Sequence, residues 1–153
     1  MTIADLLALL GTPAQRAIWL GLFAISAVGL VVGDRSVRQG VGLVLVNFVL
    51  SDMVDAWVWN TIRPAVTALD GVLFALLVVL AARSRRWWAH AAAAFALLGF
   101  LSHFIALADQ SIWWHAYVVL RWCFSAALVV TLLVGIAEAP FARGYERWAA
   151  TRR

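Results

Sequence analysis

The sequence predicts an all-α, multi-pass membrane bundle, and three observations carry that prediction. Hydrophobic residues make up 65% of the 153-residue chain and charged residues only 13%, with a mean hydropathy of +0.91. An ordinary soluble domain holds about 45–50% apolar and about 25% charged residues. Five apolar stretches each approach the roughly 20 residues that a helix needs to cross about 30 Å of hydrocarbon. The arginines cluster between those stretches. A water-soluble globule, a disordered segment and a disulfide scaffold are thereby excluded, and the length leaves room for one bundle without a separate soluble domain.

The predicted spans are residues 13–32, 40–59, 64–82, 87–108 and 112–137. Pro13 and Pro64 sit at first-turn positions, where a helix tolerates proline. Short connections make neighbouring spans antiparallel. The third span must contain Asp70, because ending it there leaves too few residues before Arg83 to cross. A short interfacial helix is predicted at each end. In residues 1–12, Ile3, Leu6, Leu7 and Leu10 form an apolar stripe between Thr2 and Gly11. In the basic tail 138–153, Phe141, Tyr145 and Trp148 repeat at helical spacing among Arg143, Arg147, Arg152 and Arg153, as in a helix lying on an anionic leaflet.

Charge orients the bundle. Arg35, Arg38, Arg83, Arg85, Arg86 and the four tail arginines place nine cations on one side, against Arg16 and Arg63 on the other. The positive-inside rule then puts the N-terminus outside and the C-terminus in the cytoplasm. Trp57, Trp59, Trp113 and Trp114 mark the outer interface, and Trp87 and Trp88 the inner one. Arg83, Arg85, Arg86, Arg143 and Arg147 are expected to face lipid headgroups. All 12 basic residues are arginine, and the pI of about 10.6 is assigned to anionic lipid, not nucleic acid. The lone Cys123 supports neither a disulfide nor a thiolate metal site. The start lacks a basic n-region and a cleavage site, so no signal peptide is expected. The expected location is the bacterial inner membrane.

Charged groups at hydrocarbon depth cost about 2.5–3.5 kcal/mol each on insertion scales and so turn toward protein or water. Asp52, Asp55, Asp70 and Arg121 all fall in the outer half of the predicted spans. At about 1.5 Å per residue, Asp55 lies roughly 3 Å below Trp57 and Asp52 another ~4–5 Å deeper; Asp70 is about 9 Å below Pro64, and Arg121 about 10 Å below Trp114. Asn47, Ser51, Asp52 and Asp55 share one face of their helix, Tyr117, Arg121 and Ser125 another, and Ala92, Ala96, Gly99, Ser102 and His103 a small-residue face. The polar cluster is therefore predicted from Asn47, Ser51, Asp52, Asp55, Asp70, His103, Tyr117 and Arg121. Three acids against one arginine leave an excess of two negative charges. Protonated acids, a cation or a proton-bearing histidine would offset that excess; the readings are a structural clamp of Asp–Arg121 pairing with hydrogen bonds to Asn47, Ser51 and Tyr117, an ion or proton site, and a partner-binding groove.

Other chemistry has weaker support. A metal held by Asp52, Asp55, Asp70 and His103 suits oxygen-preferring ions but lacks a fixing motif. A b-type haem on His103 and His115 has matched depths but no second histidine pair. His90 is expected at the interface. Ser102 and His103 are adjacent and point to different faces, and no nucleophile elbow, phosphate loop or dinucleotide fingerprint is present. Enzymatic activity is not favoured.

The run Arg83-Ser84-Arg85-Arg86-Trp87-Trp88, followed by Ser102-His103 and Asp109, resembles small uncharacterised multi-pass inner-membrane proteins of alphaproteobacteria, over residues 70–137. The resemblance implies an inner-membrane location and transfers no activity. The expectation is a non-enzymatic membrane subunit or interaction module, without a resident cofactor, contacting the bilayer and a membrane-protein partner or second copy. Alternatives are an ion- or proton-linked transporter using Asp52, Asp55 and Asp70, a phage-type holin, and a b-haem protein.

Overall fold

Among the described residues, five helices follow one another: α1 (Pro13–Val32), α2 (Arg35–Val54), α3 (Pro64–Ser84), α4 (Trp87–Ala108) and α5 (Trp114–Ala150). The computed structural model describes residues 13–58, 63–84, 86–108 and 114–150. The helix predicted for residues 1–12, together with Trp59, Arg85 and Trp113, lies outside the described residues, as do the side chains of Trp114, His115, Tyr117, Arg143 and Arg147. Each helix packs on its sequence neighbours, α1 closes against α5, and α2 also reaches α5.

Two helices, α2 and α5, differ most from the sequence prediction. The second helix begins at Arg35, five residues before 40, because Asp34 caps it: its carboxylate accepts the Val37 N–H at 2.9 Å from extended backbone. It ends at Val54, with Asp55 as its C-cap, five residues short of 59. At the other end of the chain, the predicted break between a span and a separate tail is absent. The 37-residue α5 continues past Pro140 to Ala150. At about 1.5 Å per residue it is about 55 Å long, well beyond the thickness of hydrocarbon.

Among the described residues, Arg35–Val54, Pro64–Ser84 and Val119–Phe141 are long and apolar enough to cross a membrane; Trp19–Val32 is apolar but shorter. Only 22%, 28% and 28% of these three stretches is buried, so most of their apolar surface faces outward, as lipid solvation requires. These helices mark a membrane protein.

Packing at the end holding the α1–α2 and α3–α4 turns centres on Trp88. The sequence placed it at the interface with Trp87, but Trp88 is 1% exposed and Trp87 59%. A Cβ on Gly40 of α2 would approach the indole to 2.9 Å, and one on Gly135 of α5 to 2.8 Å. Glycine at both positions admits the ring, so the indole that α4 carries is wedged between α2 and α5. In lipid, where hydrophobicity does not drive helices together, such close approach supplies the association.

Arg86 is a second correction. It does not face lipid: its guanidinium pairs with Asp34 at 3.0 Å and Glu138 at 2.9 Å, joining the α1–α2 and α3–α4 turns to α5. Arg83, by contrast, is exposed. Burial raises the Asp34 carboxyl, but hydrogen bonds from Val37 and Ser36 and the charge of Arg86 outweigh it, leaving the group below its usual value of 3.8. Its stabilising contribution is therefore complete above pH 3.8 and is lost as pH falls through the lower folded value.

Two predictions follow from this end of the bundle. Trp88→Ala should cost about 3 kcal/mol, measured as a lowered unfolding midpoint in detergent; an unchanged midpoint would contradict the wedge. Asp34→Ala should cost about 1 kcal/mol through the lost cap. Asp34→Asn, which keeps a capping oxygen, should instead weaken the fall in thermal midpoint on acidification below pH 3.8.

Candidate functional site

Asp70 lies two turns into α3, on the face turned toward α2, α4 and α5. Each of those helices gives it one partner. Asn47 Nδ2 of α2 donates to Oδ1 at 3.0 Å, His103 Nε2 of α4 meets Oδ2 at 2.9 Å, and Arg121 Nη2 of α5 stands 3.9 Å from Oδ2. Asn47 is 9% exposed and His103 3%. With Asp70 ionised, His103 carries its proton on Nε2 and donates it. The small face predicted on α4 explains this reach: Ala92 and Ala96 are buried beneath His103, so α4 can approach α3 closely.

A cavity of about 100 Å³ adjoins these groups. Asn47, Ser51, Asp70, Arg121 and Ser125 give it a polar wall, and Phe48, Phe95 and Phe124 an aromatic one. Its volume equals about three waters at roughly 30 Å³ each. The Ser51 Oγ is buried and has no hydrogen-bond partner among the described residues.

Asp52 and Asp55 do not converge on this centre. Asp52 is exposed, and Asp55 pairs with Arg63 across the α2–α3 connection. The cause is the displaced end of α2: with the helix stopping at Val54, both acids occupy its terminus and not a turn further inside. The predicted excess of two negative charges disappears with them. Among the described residues, Asp70 and Arg121 balance one to one beside a histidine. Tyr117 and His115 belong to α5, but their side chains lie outside the described residues.

The predicted metal set is likewise separated, and no group of three or more His, Cys, Asp or Glu side chains suited to a metal occurs among the described residues. His103 directs Nε2 at Asp70, which opposes its use as an axial haem ligand. Ser102 donates to Gly99 O at 2.6 Å, a bond within its own helix that leaves the hydroxyl pointing away from nucleophilic chemistry. His90 is exposed, its Nδ1 2.9 Å from Arg86 O.

Sequence reasoning missed the Asp34–Arg86–Glu138 triad. The available signal was Glu138, an acid at the end of the apolar run in α5, at the level of the arginine cluster between α3 and α4. Trp88 gave no comparable signal, because a tryptophan beside arginines matches an interfacial anchor.

Removing the central carboxylate separates its role from that of the outlying acids. Asp70→Ala should lower stability by about 3 kcal/mol, since Arg121 and two polar side chains lose their common acceptor. Asp52→Ala should stay within about 0.5 kcal/mol of the parent. Equal effects in detergent unfolding would contradict this division. Comparison with protein families, with curated proteins and with solved structures returns no match.

Proposed function

We propose that the chain is a non-enzymatic, five-span subunit or interaction module of a bacterial inner membrane, with its N-terminus outside. The buried Asp70 cluster serves as its polar clamp. One observation carries this reading: both Asp70 oxygens are occupied by side chains from other helices, with Arg121 balancing the charge. Such an arrangement holds helices in register. The arginine asymmetry supports the orientation. The outward apolar surface of the helices suits lipid and a neighbouring membrane protein or second copy.

The cavity beside Asp70 favours a second reading, a small ion- or proton-linked carrier, because Ser51, Ser125 and Arg121 line a polar space at the same site. Purification in mild detergent distinguishes the two. The subunit reading expects a stoichiometric partner or a defined homo-oligomer, and reconstituted vesicles whose ion leak is the same for the parent and Asp70→Asn. A monodisperse monomer with a leak abolished by Asp70→Asn would establish the carrier instead. Reporter fusions at residues 34 and 85 should be cytoplasmic in either case; outward reporters would overturn the orientation.

A further inference from the structure

We propose that the turn between α1 and α2 is a seat for an anionic phospholipid, with Arg35 and Arg38 holding the phosphate and the end of α1 supporting an acyl chain. Arginine pairing among the described residues first points there. Arg63, Arg86 and Arg121 each have a carboxylate partner, whereas Arg35, Arg38 and Arg83 have none. All three belong to the same end of the bundle, and Arg35 and Arg38 lie on successive turns of α2, both exposed.

The acid that precedes them, Asp34, is already committed. Asp34 uses Oδ1 for Val37 N–H and the Ser36 hydroxyl and Oδ2 for Arg86, so it does not neutralise its neighbours. It also occupies the start of α2, and the seat consequently rests on the two guanidinium groups, not on the helix terminus. Arg38 Nη2 donates to Val31 O at 3.4 Å, which draws its charge toward the end of α1.

Shape and polarity select a lipid over a free anion. Gly33, Asp34, Arg35, Arg38 and Gln39 line an open groove of about 520 Å³, within the size range of small-molecule sites. Immediately beside it, Val28 and Val31 are 50% and 76% exposed. Trp87, exposed at the same end, has the amphipathic character of a headgroup-level anchor. A phosphate on the arginines with its chain along the valines satisfies both surfaces together, as basic pockets at membrane interfaces do. The inference rests on the membrane reading above for the depth of this rim.

The test is lipid titration of the full-length protein in detergent, followed by native mass spectrometry. Phosphatidylglycerol should bind saturably and phosphatidylcholine much more weakly. Each cation beside an anionic headgroup contributes about a fivefold factor, so the Arg35→Gln/Arg38→Gln variant should bind phosphatidylglycerol about 30-fold more weakly. The corresponding double lysine variant should recover most of that loss, and Arg83→Gln, at the same end but outside the groove, should lose no more than about fivefold. Equal binding of the two lipids, an unaffected double glutamine variant, or an equal loss in Arg83→Gln would overturn the seat. Displacement by inorganic phosphate at millimolar concentration would overturn it in favour of a free-anion site. Failure of the membrane reading has its own signature, a chain that stays soluble without detergent, which a negative lipid titration does not produce.

Discussion

A carboxylate inside an apolar bundle is tolerated only when the surrounding helices satisfy it, and Asp70 imposes that condition on the whole molecule. Its oxygens face Asn47 from α2, His103 from α4 and Arg121 from α5. Rotating any of those helices by one residue, about 100°, removes its contribution. An ionised group left unsatisfied at hydrocarbon depth costs about 2.5–3.5 kcal/mol, so the pairing discriminates strongly between alternative registers. Hydrophobic surface makes this selection poorly, because apolar side chains lie on inward and outward faces alike, as Val41 and Val44 against Val46 and Leu50 show on α2.

The other end meets the same constraint with different groups. Arg86 draws Asp34 and Glu138 together, while Trp88 enters the space left by Gly40 and Gly135. Charge sets which elements meet, and the glycines set how closely. Between these ends lie small and branched side chains, including the buried Ala89, Ala92 and Ala96 of α4. Packing there gains dispersion contacts, the main source of helix association once lipid has removed the hydrophobic drive.

The two polar centres also divide the chemistry. Around Asp70 the charges balance, and Asn47, His103 and Arg121 tie three helices to one carboxylate. At the α1–α2 turn the balance is different: among the described residues Arg35 and Arg38 have no carboxylate partner, and they stand beside exposed valines. The first arrangement ties helices together internally, and the second leaves two exposed cations at the rim. Both follow from where each arginine finds, or does not find, an acid.

Much of this was legible in the order of residues. The α1 and α4 limits, the inward face of α4 with His103, and the need to carry Asp70 into α3 follow from local periodicity and from the length a span requires. The end of α2 was not, because hydropathy runs on toward Trp59 while the Asp34 cap starts the helix early and its last turn closes at Val54. That displacement separates Asp52 and Asp55 from Asp70. Likewise, Arg86 and Trp88 read as interfacial residues until Glu138 and two glycines arrive from distant positions. Periodicity specifies which side of a helix is polar or small, since it depends on neighbours one turn away. Which partner that side meets, and whether a charge is neutralised, depends on groups brought together across the chain, and only the packed bundle decides it.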